Sequence, residues 1–196
     1  MKTTDPGSLF DAGLARRRGY LEIWGPAVRG PFLALITRLL ETLAGGGKVL
    51  ICGNGGSASQ AQHFAAELVG RFKRERSALP AIALTVDTSA LTAIGNDYGF
   101  ETVFRRQAEA LMAPADLLLG LSTSGDSPNV VTALEWARRR GYATAALTGE
   151  GGGRMAAHSD VLVAVPSRET DLIQECHLAL LHLLAEAAED AFTDHQ

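Results

Sequence analysis

With 196 residues, 46% hydrophobic and 20% charged, the chain is long enough for one full core and too apolar for wholesale disorder. Its net charge is -4, and no cationic run exceeds Arg16-Arg17-Arg18 or Arg138-Arg139-Arg140, which excludes a general nucleic-acid surface. No 18-residue apolar stretch is present to cross a membrane and the N-terminus has no secretory apolar core, so a soluble, cytoplasmic protein is expected.

In chain order, residues 1–26 read as an N-terminal segment and 27–196 as a single domain. Residues 27–44 predict a helix carrying Val28, Phe32, Leu33, Leu35, Ile36, Leu39, Leu40 and Leu43, apolar on more than one face. Five short apolar runs follow, at 48–52, 81–86, 116–121, 143–148 and 161–165. They are continuous rather than alternating, as in strands covered on both sides. Helical segments at 57–72, 100–112 and 127–140 separate them, with a shorter one at 151–158. The alternation predicts a doubly wound, five-stranded parallel α/β sheet flanked by helices. A last helix at 169–192 repeats the two-sided apolar pattern through Leu172, Ile173, Cys176, Leu180, Leu183, Leu184 and Ala187. The two outlying helices are therefore expected at an oligomer interface.

Two strand ends carry ligand-binding chemistry. Gly53-Asn54-Gly55-Gly56-Ser57 follows the first strand and opens a helix, where free N–H groups and glycines suit close approach to a ligand. By itself this turn is as readily a plain tight turn. Ser122-Thr123-Ser124-Gly125-Asp126-Ser127-Pro128 follows the third strand. Ser127 reads as an N-cap with Pro128 at the first helical position. Four hydroxyls exceed what a cap needs, and together with a helix N-terminus they suit a phosphate monoester. His63 and Glu67 share a helix face at i,i+4. Gln174 and His182 lie near one face of the last helix, separated along its axis. His158, His177 and His195 read as core or surface histidines. Cys52 and Cys176 are isolated thiols, which fits a reducing compartment.

Five stretches resemble the phosphoheptose isomerase family of the sugar-isomerase (SIS), flavodoxin-like fold. They are CGNGGSASQAQHFAAELVGRF (52–72), AIGNDYGFE (93–101), LSTSGDSPNVVTAL (121–134), ALTGEGGGRMAAHSDVLVAVPS (146–167) and IQECHLALLH (173–182). The resemblance implies that Asn54, Gly55, Gly56, Asn96 and Asp97 contact substrate, the last two from a loop after the second strand. It implies that Ser122, Thr123, Ser124 and Ser127 hold the phosphate. Glu67 and His182 would be the acid/base pair, with Gln174 alongside. His63, Glu67, Gln174 and His182 would hold one Zn2+ per subunit, a chemically plausible set in which the amide is the unusual ligand. The family is homotetrameric, with sites shared between subunits. Ser59-Gln60 and Asp171-Leu172 depart from the family's usual residues without touching these positions.

The implied reaction is an aldose–ketose isomerisation of sedoheptulose 7-phosphate through an enediol. Its product feeds heptose nucleotide and surface polysaccharide synthesis. Two non-enzymatic alternatives share the fold. One is an adaptor that binds the bacterial replication initiator; the other is a sugar-phosphate sensor. Retention of Glu67, Gln174 and His182 favours the enzyme.

Overall fold

The computed structural model describes residues 5–193; His195 lies outside them. Helix α1 spans Pro6–Ala44. Asp5 caps it, accepting the Ser8 N–H at 2.9 Å, and Pro6 occupies the first turn, where a missing N–H costs nothing. The helix runs unbroken across the boundary expected at residue 26. Pro26 and Pro31 lie inside it, although each removes a helical hydrogen bond. Packing overrides them: Trp24, Val28, Phe32, Leu35, Leu39 and Leu43 recur every three or four residues and are all buried. Upstream, Arg16 and Arg17 form ion pairs with Glu169, Asp171 and Glu175.

The remaining elements are β1 (Val49–Gly53), α2 (Gly56–Val69), β2 (Ala81–Ala83), α3 (Thr88–Tyr98), α4 (Val103–Leu111), β3 (Leu117–Ser122), α5 (Pro128–Arg139), β4 (Ala143–Thr148), β5 (Val161–Ala164) and α6 (Thr170–Phe192). All five strands are parallel, in the order β2-β1-β3-β4-β5. The predicted α/β architecture is therefore the observed one. Residues 100–112 divide into a 3₁₀ turn and α4, and the segment near 151–158 is a 3₁₀ turn at Gly153–His158.

Strand residues alternate between two cores. Val49, Ile51, Leu117, Leu119, Ala145 and Leu147 face α1, α2 and α6. Leu50, Cys52, Leu118 and Ala146 face α4 and α5. Both faces are covered, which is why the strand sequences are continuously apolar. In this strand order the connection reverses between β1 and β3, so a crevice opens at their carboxyl ends. The two loops singled out by composition end at that crevice.

Of the apolar residues expected on a second face, Leu33 of α1 and Leu183 of α6 are exposed; upstream in α1, Leu9, Phe10, Leu14 and Ile23 are exposed as well.

Candidate active site

The glycine loop and the hydroxyl loop are tied together by their amides. Asn54 Nδ2 donates to Asn129 Oδ1 at 2.8 Å, and Asn129 Nδ2 donates back to Asn54 Oδ1 at 2.9 Å. Asn129 is buried and its Oδ1 also accepts the Val130 N–H. A cavity of about 280 Å³ opens beside this pair, lined by Asn54, Phe100, Glu101, Ser127, Pro128 and Asn129. Asn129, Phe100 and Glu101 were not singled out in the sequence. Asn129 follows Ser127-Pro128 directly, but nothing local distinguishes it from an ordinary first-turn residue.

The hydroxyls converge. Ser122 Oγ lies 2.9 Å from Ser127 Oγ and 3.4 Å from Ser124 Oγ. Ser122 Oγ accepts the Gly125 N–H and Ser124 Oγ the Asp126 N–H. Ser127 is the N-cap residue as expected, but its hydroxyl makes no capping bond and turns toward Ser122 instead. Thr123 is half-buried, and its carbonyl accepts the Gly149 N–H. Gly125 has φ +70°, and a Cβ there would lie 2.2 Å from the Gly152 carbonyl oxygen, so only glycine fits. The chain after β4 thus buttresses the hydroxyl loop from behind, where Met155 N–H donates to the Gly125 carbonyl.

Asn96 and Asp97 lie in the last turn of α3, not in a loop as expected. Asp87 caps that helix by accepting the Ala90 N–H. None of its residues is fully buried; Leu91 and Ile94, one turn apart, are partly buried against the core under α4 and α5, a stripe too short to announce the helix. Asn96 Nδ2 donates to Asp97 Oδ1 at 2.8 Å, and both side chains are exposed.

Helices α2 and α6 lie side by side in the same direction. At their start the Gln174 amide covers Gly56, where a Cβ would approach it to 2.6 Å, and Gln60 Nε2 donates to the Gln174 carbonyl. Farther along, His63 Nε2 and His182 Nε2 are 2.8 Å apart, and Glu67 Oε1 is 3.4 Å from His63 Nε2. Phe72 stacks on the His182 ring at 5.6 Å between centroids. The ligand atoms of His63, Glu67 and His182 all lie within 4.8 Å of one another. Two imidazoles and a carboxylate are a donor set that suits zinc. Gln174 is not with them in the same chain. Its amide sits at Gly56, roughly two helical turns before His63, a separation of about 10 Å.

Both thiols are buried and unpaired, and burial pushes each up to about 12. Neither is a ready nucleophile.

Residues 27–149 match the SIS domain family. The phosphoheptose isomerase of Akkermansia muciniphila is 59% identical over 149 residues, covering 76% of this chain and 79% of that protein. That of a Roseiflexus species is 50% identical over 180 residues, covering 92% and 89%. The solved phosphoheptose isomerase of Neisseria gonorrhoeae superposes with a TM-score of 0.89 at 42% identity, covering 95% of this chain and all of that one. Agreement in sequence and fold over most of the chain places it in the phosphoheptose isomerase family of SIS-domain proteins.

Proposed function

We infer that Glu67 and His182 are the proton-transfer pair of the family's reaction. That reaction interconverts sedoheptulose 7-phosphate and D-glycero-D-manno-heptose 7-phosphate on the way to heptose nucleotides. The observation that carries this reading is the junction of α2 and α6, where a carboxylate and two imidazoles meet. Neither an adaptor nor a sugar-phosphate sensor needs such a group.

Glu67 removes a proton from C1 of the ketose, leaving an enediolate that becomes the cis-enediol when its C2 oxygen takes up a proton. His182 returns a proton at C2 or moves protons between the two oxygens, as an imidazole with one donor and one acceptor nitrogen can. The hydroxyls of Ser122, Thr123, Ser124 and Ser127 and the N-terminus of α5 hold the phosphate. They need no fixed cation, because N–H and O–H donors meet the anion there. Asn54, Gly55, Gly56, Asn96 and Asp97 contact the sugar. His63, Glu67 and His182 would hold zinc, and bound zinc would polarise the carbonyl and stabilise the enediolate.

Glu67 lies eleven residues after Gly56, about 16 Å along α2. One chain's acid/base cluster is therefore far from its own phosphate loop. A homotetramer resolves this by bringing one subunit's cluster to another's loops, and it lets Gln174 of another subunit join the metal set. The exposed Leu14, Ile23, Leu33 and Leu183 are suited to such contacts. No helix among the described residues is long and apolar enough to cross a membrane. A cytoplasmic enzyme fits this and the free thiols.

The direct test is incubation of the purified protein with sedoheptulose 7-phosphate, with and without chelator, following appearance of the aldose. Absence of turnover in both arms, with zinc added back, refutes the reading. Sedimentation of an active monomer near 20.7 kDa refutes the shared site.

A further inference from the structure

We propose that Glu189 is a positioning residue of the acid/base centre, acting through the chain turn at Phe72 and Lys73. The proposal rests on the reading of His182 as a proton-transfer residue.

Glu189 is in the last turns of α6 and is fully buried. A carboxylate stripped of water must find donors. Its Oε1 accepts the N–H groups of Phe72 and Lys73, each at 3.1 Å, and its Oε2 accepts the Lys73 N–H at 3.0 Å. Burial pushes this carboxyl up, but the backbone N–H groups at residues 72–74 and the Arg74 guanidinium outweigh it and hold it below the usual range. The anion is thus the resident form.

These bonds pin the chain where it leaves α2. Phe72 then turns inward, its ring 5.6 Å from the His182 ring and inclined by 22°. A second anchor holds the same turn: the Arg76 guanidinium donates to the carbonyls of Leu68 at 2.8 Å and Glu67 at 2.6 Å. Both members of the proposed pair are therefore tethered to one segment, Glu67 through its carbonyl and His182 through the Phe72 ring. His182 is only partly buried. The described contacts that fix its ring are His63 and Phe72. Well-packed apolar residues commonly stabilise such a site at least as well as a buried charge. What the carboxylate adds is a defined path for residues 72–73, and hence the seat of one ring against the imidazole.

The test uses E189Q, which keeps size and one acceptor oxygen; E189D, which keeps the charge but shortens its reach; F72L, which removes the ring; and F72Y, which keeps it. The readouts are kcat and KM for sedoheptulose 7-phosphate and the His182 Hε1 resonance, assigned by its loss in H182Q. Stacking shields that proton. E189Q, E189D and F72L are expected to move the resonance downfield and to lower kcat by about 10-fold, with KM within about twofold. F72Y should retain both. E189Q combined with F72L should be no worse than F72L alone, because both act through one ring. An unmoved His182 resonance in whichever Glu189 variants fold, or losses that simply add in the double variant, overturns the proposal. Full turnover by H182Q would instead overturn the assignment of His182, and the resonance would still decide the positioning link.

Discussion

Asn54 and Asn129 face each other across the crevice and exchange two amide hydrogen bonds, at 2.8 and 2.9 Å. The pair fixes which edge of each amide is donor and which acceptor, and it locks the loop after β1 to the helix after β3. Only an amide opposite an amide satisfies this arrangement. An aspartate at either position would place two acceptors together.

Asn129→Ala is therefore expected to raise KM by about 10-fold while changing kcat little, because it releases Asn54 in ground state and transition state alike. It should also lower the unfolding midpoint, since losing one partner of a buried hydrogen bond costs about 1–3 kcal/mol. Steady-state kinetics and thermal unfolding of the same preparation check both. A KM equal to that of the parent enzyme would mean that Asn54 does not hold substrate.

Ser122 sits under the hydroxyl cluster, buried and within 2.9 Å of Ser127 Oγ. Ser122→Ala removes a hydroxyl and also frees the Gly125 N–H. Ser127→Ala removes a hydroxyl that caps nothing. Both should raise KM, by roughly 10-fold for each lost phosphate contact, with kcat little altered. Inorganic phosphate should inhibit the parent enzyme competitively and both variants more weakly. Equal inhibition of all three would move the phosphate elsewhere.

Glu67→Gln preserves shape and removes proton-accepting power. A fall in kcat of at least about 10²-fold is expected, with oligomeric state unchanged, and His182→Gln should behave similarly. Exchange of the substrate's C1 hydrogen with solvent gives the sharper measurement. If Glu67→Gln still exchanges that hydrogen at the parent rate, another group is the base.

His177 carries a pH signature. Burial lowers its pKa to about 4, even though its Nε2 lies 3.1 Å from the Thr148 carbonyl, a contact that works the other way. The unfolded chain binds a proton near the ordinary histidine value of about 6.5, and the folded chain does not until about 4. Stability is thus fully present above about 6.5 and declines as pH falls toward 4, by about 3 kcal/mol in all. Glu189, held below its usual range, adds a loss at still lower pH. Urea midpoints measured from pH 7 to 4 at fixed protein concentration should fall for the parent chain, and His177→Asn should flatten the upper part of that slope.

The sequence by itself determined the layers of this protein. Unbroken apolar runs such as Leu117–Leu121 demand cover on both faces, and helical segments between them force parallel pairing, so the sheet followed from pattern alone. It also marked the loops at 53–57 and 122–128, because glycines and hydroxyls at strand ends have a local physical meaning. Other features were invisible for physical reasons. Pro26 signals a break, and only the buried stripe from Trp24 to Leu43 carries α1 through it. Helix α3 presents only Leu91 and Ile94 to the core, too few apolar positions to mark a helix, so Asn96 and Asp97 read as loop. Asn129, Phe72 and Glu189 have unremarkable neighbours in the chain, and their meaning lies in partners 75, 110 and 117 residues away. Gln174 and His182 share a helix, but the parallel alignment of α2 with α6 sends one to Gly56 and the other to His63. Local pattern reports what each segment must bury; which side chains then meet is set by how the segments align, and that only the tertiary structure decided.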